Sequence, residues 1–312
     1  MSRLSRVLGY AVPILACTCP PAHAHGVAGP RLFVSTLQFD DPAVADEATL
    51  PTATWSRSPA TDTAGPSTSL NLNASFAKRI TDRFGVSVSL GHTWLATAGD
   101  KHRNGWDNIE LGAKYQAYVN PEHEFMLSIG VDREFARTGT AAIGAEAVST
   151  TTPSISFGKG LGDLPIGPLR PFAITGQFGY AVSERALKIH SDGTDNGGHE
   201  NRWAGGLALQ YSLAYLQSEV KDYGLPGWLA NLTPLIEIAW SAAATRPSGQ
   251  AIQLLVAPGI AWSGDWYQLT AEVLIPANRN TGRNLGAMAQ IHIFLDDLLP
   301  RSLGTPVTRW FQ

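Results

Sequence analysis

The chain has few charged residues, few cysteines and no long run of apolar residues. Only 16% of its 312 residues are charged and 44% are hydrophobic, which excludes a charge-rich disordered chain. No apolar run reaches the roughly 18 residues that a membrane-spanning α-helix needs. The two cysteines, Cys17 and Cys19, both lie near the N-terminus. Glycine is abundant, with 31 residues, and short segments of alternating polarity recur along the chain.

The first 24 residues have the composition of an export signal. A basic start is followed by a short apolar core and by the small residues Ala22 and Ala24, which are typical of a cleavage site. We therefore predict a signal peptide over residues 1–24, cleaved after Ala24, whose removal takes both cysteines with it. A second interpretation is a lipoprotein signal at residues 14–17 with Cys17 lipidated. In both cases the protein leaves the cytoplasm.

Two consecutive segments show the alternation most clearly. Residues 84–94 read FGVSVSLGHTW and residues 108–119 read NIELGAKYQAYV, so apolar and polar side chains take turns in both. A period of two indicates β-strands, because successive side chains of a strand point to opposite faces. Each segment has about ten residues, the length with which a tilted strand crosses a bilayer.

The same pattern recurs and predicts about twelve strands in all. Connections between them are alternately long and short, as in outer-membrane barrels, whose short turns face the periplasm. Residues 217–232 are the exception, a long connection among the short ones, for which we predict a helical turn. The other predicted strands are residues 31–38, 67–76, 125–135, 151–159, 172–182, 203–215, 234–243, 252–262, 266–276 and 285–294.

We therefore predict an all-β fold, an up-and-down antiparallel transmembrane β-barrel of about 12 strands over residues 25–295. A periplasmic C-terminal tail would follow at residues 296–312. Most tryptophans lie at the ends of the predicted strands, where bilayer–water interfaces favour them. The alternative is a secreted soluble β-sandwich, which has the same alternation but turns its apolar face inward.

Ten polar side chains fall on the parity opposite the apolar one. In a barrel they would face the lumen, because a basic side chain facing lipid at mid-bilayer costs about 2–4 kcal/mol and an acidic one is also unfavourable. They predict either an acidic path for neutral or cationic solutes or a hydrogen-bonded network that fills a narrow barrel, and both interpretations stay open. These candidates are Glu110, Lys114, Asp132, Glu134, Gln177, Gln210, Glu237, Glu272, Gln290 and His292.

Three other motifs have an ordinary structural explanation. His92 falls on the lipid-side parity without a serine at the spacing that acyl transfer needs, so we predict an interfacial histidine. Residues 190–200 are rich in oxygen and imidazole groups but lack the spacing of a calcium loop. Residues 158–162, GKGLG, lack the Lys-Ser/Thr step of a phosphate loop. The sequence thus predicts no catalytic residue, no metal and no cofactor.

The C-terminal residues 291–304, IHIFLDDLLPRSLG, resemble the end of a group of exported, mostly uncharacterised bacterial barrel proteins. That group is distantly similar to the family named for the MetA pathway of phenol degradation, and more loosely to outer-membrane transporters of hydrophobic compounds. The resemblance implies a barrel and transport, and it carries no functional residue over. The chain departs from an ordinary barrel because Phe294 is followed by an extension over residues 295–312.

Together these features predict a channel or passive transporter in the cell outer membrane for a small hydrophobic, neutral or cationic molecule, and not an enzyme. Its partners would be outer-membrane lipid, the barrel-assembly machinery and an unidentified solute. Removal of the predicted signal peptide takes Arg3 and Arg6 with it, and the resulting mildly acidic mature chain argues against nucleic acid. The alternative is a barrel without transport that acts as scaffold or sensor through the long loops at residues 39–66 and 183–200.

Overall fold

A computed structural model of the chain describes residues 26–60, 65–189, 194, 196–244 and 252–311. The predicted signal peptide and its cleavage site lie outside the described residues, and so does part of the loop at residues 190–200.

The described chain is built almost entirely from antiparallel strands. Twelve of them form a closed ring in which each strand pairs with its sequence neighbours, and the last strand closes on the first through pairs from Phe294 with Glu47 to Ala287 with Trp55. The strands are β1 (Val27–Ala28), β2 (Arg31–Leu32), β3 (Glu47–Ser58), β4 (Ser67–Arg79), β5 (Phe84–Thr97), β6 (Arg103–Trp106), β7 (Glu110–Asn120), β8 (Phe125–Glu134), β9 (Thr150–Gly160), β10 (Phe172–Ser183), β11 (Arg202–Tyr211), β12 (Leu232–Ala243), β13 (Gln253–Ser263), β14 (Tyr267–Pro276) and β15 (Gly286–Phe294).

Three short strands stand outside the ring. β1 and β2 pair only with each other, and β6 prolongs the β5–β7 hairpin by pairing with the end of β5. The predicted barrel of about 12 strands is therefore confirmed, with β3 to β5 and β7 to β15 as its wall.

The prediction of a first barrel strand at residues 31–38 is wrong. That segment lies inside the barrel, and the first wall strand is β3, which falls within the predicted loop at residues 39–66. β3 was missed because its sequence, EATLPTATWSRS, alternates weakly and contains Pro51, which lies at a register irregularity between Thr49 and Thr52.

The apolar parity of the wall faces outward. Ten representative residues of this face are between 38% and 51% exposed, whereas a β-sandwich would bury them in its core. The soluble alternative is thereby excluded, and the outer surface matches a bilayer. Representative residues on this face are Val88, Leu111, Ile129, Ile155, Leu207, Ile236, Ile260, Leu269, Val273 and Ile291.

Aromatic side chains form a belt near each end of the wall. At the end of the long loops, the ring centroids of Tyr180 and Trp203 lie 4.3 Å apart, and so do those of His92 and Trp94. At the other end, the rings of Phe172 and Tyr211 meet edge to face at 4.6 Å. Such belts are typical of the two bilayer–water interfaces.

The connections confirm the predicted asymmetry. One end of the barrel, here named the short-turn end, carries the connections at residues 80–83, 121–124, 161–171, 212–231 and 264–266. The opposite end is named the long-loop end. The predicted helical turn after β11 is present as Leu213–Tyr215, Leu216–Val220 and Gly227–Ala230, although β11 itself ends four residues earlier than predicted, at Tyr211.

The remaining helices are single turns, at Ala141–Ile143, Gly167–Leu169, Leu295–Leu298 and Val307–Arg309. Among the described residues, no helix has both the length and the apolar character needed to cross a membrane.

Candidate functional site

The lumen is occupied in part by residues 31–46, which we name the inner segment. It passes into the lumen at the short-turn end, where Arg31 contacts the β7–β8 turn, and it reaches the middle of β12 at Leu37 and Gln38. It then turns back and leads into β3 at the same end, where Asp46 contacts Lys78. The segment is therefore a loop inserted from one end, in contact with both sides of the lumen.

Arg31 fixes the start of the inner segment. Its guanidinium, which is fully buried, lies 3.1 Å from Glu124 Oε2, donates to the carbonyl oxygens of Pro171 and Arg170, and stacks 3.6 Å above the Tyr215 ring. Tyr215 Oη in turn donates to Glu124 Oε1 at 2.6 Å. Burial lowers the pKa of Arg31 and Glu124 opposes this, while burial and Glu124 raise the pKa of Tyr215 to about 12. All charges of this buried cluster have partners, as a buried ion pair requires.

Two buried glutamines bind the main chain of the first limb. Gln210 on β11 accepts from Val34 N at 3.2 Å and donates to Val34 O at 3.0 Å. Gln268 on β14 makes the same pair of hydrogen bonds to Ser35, at 3.2 and 3.1 Å. Each side-chain amide thus makes two hydrogen bonds to the main chain of a single residue, one as donor and one as acceptor, as a residue of a neighbouring antiparallel strand does.

Two carboxyl groups bind the tip of the inner segment. Glu237, in the middle of β12 and fully buried, accepts from the consecutive amides Leu37 N at 3.0 Å and Gln38 N at 2.9 Å. The Gln38 side chain donates to Glu272 Oε2 at 2.9 Å. The second oxygen of Glu272 is buried and has no hydrogen-bond partner among the described residues.

The return limb is held by Lys114 on β7. Its ammonium group contacts Asp40 at 2.6 Å and donates to the carbonyl oxygens of Asp41 and Ala43 at 2.9 and 3.0 Å. Ser128 on β8 donates to Pro42 O. Lys114 is therefore neutralised by the inner segment and is not free to attract an anion from the lumen.

The C-terminal tail packs against the short-turn end beside β3 and β4. Asp46 binds Lys78 at 2.5 Å and Arg79 at 2.8 Å. Lys78 also donates to the carbonyl oxygen of Leu303 in the tail, and Arg79 donates to that of Gly304. Asp296 lies 3.5 Å from Arg79. Burial raises the pKa of Asp296 to about 7, with smaller contributions from neighbouring carboxylates.

A cavity of about 510 Å³ lies between the inner segment and one side of the wall. Its lining is mostly hydroxyl, amide and carboxyl groups, and it extends from the level of Asp132 near the long-loop end to Gly85 at the short-turn end. The wall residues that line it include Thr52, Thr54, Asn71, Asn73, Ser75, Ser87, Ser89 and Gln290.

The cavity is acidic. Glu110 and Asp132 line it on adjacent strands, and neither makes an ion pair within the part of the chain that the structure describes. The two basic groups of the lining have carboxylate partners, Lys114 with Asp40 and His292 with Glu47 at 3.0 Å. An excess of carboxylates in a pore favours cations over anions.

The ten candidate residues divide by position. Five contact the inner segment, namely Lys114, Gln177, Gln210, Glu237 and Glu272, and four others line the cavity, namely Glu110, Asp132, Gln290 and His292. Glu134 lies toward the long-loop end and accepts from Asn108 at 2.8 Å. The interpretation as a lumen-filling network therefore applies to the side that contacts the inner segment, and the interpretation as a solute path applies to the side that lines the cavity. A role of these residues in solute passage stays a prediction.

Sequence reasoning missed the inner segment and the two residues that fix its ends, Arg31 and Asp46. The interval before the second predicted strand was long, and residues 39–46 contain no alternation, which could have indicated chain outside the wall. Among the described residues, no group of three or more His, Cys, Asp or Glu side chains could hold a metal ion.

No protein-family model matches the chain, and no curated protein matches it. Among solved structures, the chain is similar to the COG4313 outer membrane channel from Pseudomonas putida F1, with a TM-score of 0.58, 13% identity, and coverage of 84% of this chain and 99% of that one. The NanC porin has a TM-score of 0.48, 7% identity, and coverage of 79% and 98%. The β-domain of the Bordetella autotransporter BrkA has a TM-score of 0.48, 12% identity, and coverage of 80% and 99%.

At these identities the likeness concerns the fold alone. The resemblance of residues 291–304 to the family named for the MetA pathway therefore stays a prediction. What the geometry and the first comparison establish together is that the chain is a closed 12-stranded antiparallel β-barrel of the outer-membrane type.

Proposed function

We propose that the protein is an outer-membrane channel or passive transporter for small neutral or cationic molecules. The single observation that carries this proposal is the acidic cavity of about 510 Å³ beside the inner segment, enclosed by a wall whose outer face is apolar. Solutes would move along this cavity, from the long-loop end on the cell surface toward the short turns on the periplasmic side. Nothing in the proposal requires a catalytic group.

The inner segment supports a second candidate function. It occupies much of the lumen with its main-chain groups paired, which also fits a barrel without transport that serves as scaffold or sensor through its long loops. The channel function is favoured because the cavity follows the inner segment toward both ends of the wall.

Single-channel recording of the purified full-length protein in planar lipid bilayers tests the proposal. We expect discrete conductance steps, and a reversal potential in a KCl gradient that indicates preference for potassium over chloride. Absence of conductance together with absence of solute uptake into proteoliposomes would favour the scaffold or sensor function.

The double variant Glu110→Gln/Asp132→Asn tests the role of the unpaired carboxylates. A carboxylate about 6 Å from an ion contributes about 0.7 kcal/mol in water, so removing each should lower the cation preference about threefold. Glu184→Gln is the matched control, because Glu184 lies in an exposed connection at the long-loop end, and it should leave the reversal potential unchanged.

A further inference from the structure

The contacts of the inner segment have the features of a bound ligand. Residues 33–39, FVSTLQF, are bound through main-chain groups by side chains that come from β11, β12 and β14, far away in sequence. The same side chains would bind a separate peptide only if the barrel wall holds them in place without the inner segment.

The wall orients its binding groups by contacts of its own. Gln210 Nε2 also lies 3.4 Å from Thr175 Oγ1, and Gln268 Nε2 donates to Thr270 Oγ1 at 2.8 Å. Both glutamines are therefore held in place by neighbouring wall hydroxyls as well as by the inner segment. Such preorganisation lowers the cost of binding a peptide from solution.

Two glycines of the wall leave room for the aromatic rings at the ends of the heptapeptide. A Cβ on Gly158 would lie 3.1 Å from the Phe33 ring, and a Cβ on Gly206 would overlap the Phe39 ring. Any other residue at Gly206 would thus displace Phe39. The site therefore selects an aromatic side chain at each end of the bound stretch.

The sixth position of the heptapeptide carries a donor side chain that the wall binds. Gln38 Nε2 donates to Glu272 Oε2 at 2.9 Å. A buried acceptor left without its donor costs about 1–3 kcal/mol, so the site favours a ligand with a donor side chain at that position. Beyond the Phe39 end, a second cavity of about 360 Å³, lined by Gln38 and Phe39, leaves space for a longer ligand.

We propose that the lumen is a binding site for extended peptides with an aromatic residue at each end of a seven-residue stretch and a donor side chain at its sixth position, filled in this structure by residues 33–39 of the same chain. Strands β11, β14 and β12 bind the peptide main chain through Gln210, Gln268 and Glu237. This goes beyond the channel function and does not depend on it, because a barrel without transport would bind the same peptide.

The test is equilibrium binding of a fluorescent peptide, FVSTLQF labelled at its C-terminus, to full-length protein in detergent micelles, followed by fluorescence anisotropy. The variant Phe33→Ala/Phe39→Ala weakens occupancy by the chain's own segment. It should bind the peptide at least about tenfold more tightly than the wild type, in which the linked segment competes at high effective concentration. Equal affinity for the two proteins would overturn the proposal.

Two further arms separate a specific site from adsorption to the micelle. A peptide methylated on the amide nitrogens of its third and fifth residues loses the donors to Gln268 and Glu237, so it should bind about tenfold more weakly or worse. Adding Gln210→Leu/Gln268→Leu to the Phe33→Ala/Phe39→Ala variant should have a similar effect, whereas adding Glu184→Gln should have none. Undiminished binding in either of the first two cases would overturn the proposal.

Folding of each variant is checked by the resistance of the barrel to unfolding in unheated SDS electrophoresis. If Phe33→Ala/Phe39→Ala does not form a barrel, Ser35→Pro replaces it, because proline removes one main-chain donor to Gln268 and leaves the wall unchanged. Since none of these measurements involves conductance, their failure is distinguishable from failure of the channel function.

Discussion

The two sides of the barrel wall differ in the length of their inward side chains. The contact wall, β10 to β14, carries glutamine and glutamate at the positions that meet the inner segment, namely Gln177, Gln210, Glu237, Gln268 and Glu272. The cavity wall, formed by β15, β3 to β5, β7 and β8, is dominated by serine, threonine and asparagine. Long side chains reach the inner segment and short ones leave a space of about 510 Å³.

The difference in side-chain length explains how one lumen can hold part of its own chain and still keep room for a solute. A loop inside a barrel needs partners for its main-chain groups. The contact wall supplies them for the first limb and the tip, and Lys114 and Ser128 of the cavity wall supply them for the return limb. On the other side, short side chains pair with one another across strands, such as Thr49 with Ser75 at 2.6 Å and Asn73 with Ser89 at 3.0 Å. Because the hydroxyl and amide groups of these side chains have hydrogen-bond partners within the wall, they do not need the inner segment as a partner, and the cavity can stay open.

The largest expected effect comes from breaking the contact wall. In Gln210→Ala/Gln268→Ala the main-chain amide and carbonyl groups of Val34 and Ser35 lose their hydrogen-bond partners. Each group that stays buried without a partner costs about 1–3 kcal/mol of free energy. We expect release of the inner segment and a several-fold rise in single-channel conductance. Gln177→Ala is the control of the same residue type, because its side-chain hydrogen bond with Asp40 N is long, at 3.4 Å. Unchanged conductance in the double variant would contradict the assigned role of this wall.

A smaller effect is expected from filling the cavity wall. Ser87 lines the cavity on β5, and Ser87→Phe would place a ring in the space beside the inner segment. Since conduction depends on the free cross-section of the lumen, we expect the conductance to fall by about half. The neighbouring substitution Val88→Phe lies on the exposed outer face and should leave the conductance unchanged. Equal effects of the two substitutions would count against a solute path on this side.

The smallest expected effect concerns the tail that covers the short-turn end. Asp296 has a pKa raised from 3.8 to about 7, chiefly by burial and further by Asp297, Glu47 and Asp46, against the opposing charge of Arg79. The Asp296 carboxyl group therefore holds its proton more tightly when the tail is docked than when it is undocked. Docking should be strongest below about pH 4 and should weaken as the pH rises to about 7, by about 1.4 kcal/mol per pH unit at most.

Electron paramagnetic resonance can follow this docking. Phe311 is 85% exposed, and a spin label on Phe311→Cys would be the only modified thiol once the predicted signal peptide is removed. We expect the mobile fraction of the label to be larger at pH 8 than at pH 5, and Asp296→Asn to abolish the difference. Asp163→Asn, at the β9–β10 connection, should preserve it. A label whose mobility is independent of pH in the parent protein would refute the assignment to Asp296.

The wall was predictable from sequence because its information is local. Alternation over residues 84–94 and 108–119 specifies which side chains meet lipid, and the penalty for a charge in lipid makes the assignment of Glu237 and Glu272 to the inner face follow from parity. β3 shows where this reasoning fails. Its small polar residues and Pro51 weaken the alternation, and its place in the wall is set by pairing with β4 and β15.

Local alternation was enough to predict eleven of the twelve wall strands, their outward face and the asymmetry of the connections, because a period of two and a length of about ten residues are properties of short stretches. The twelfth strand, β3, was missed, and residues 31–38 were counted in its place. What occupies the lumen depends on contacts between distant parts of the chain. The partners of the inner segment lie 176 residues away for Val34 and 233 residues away for Ser35, and no local pattern specifies contacts at that separation. Closing the ring brings these side chains to the segment, and closure is a property of the whole chain.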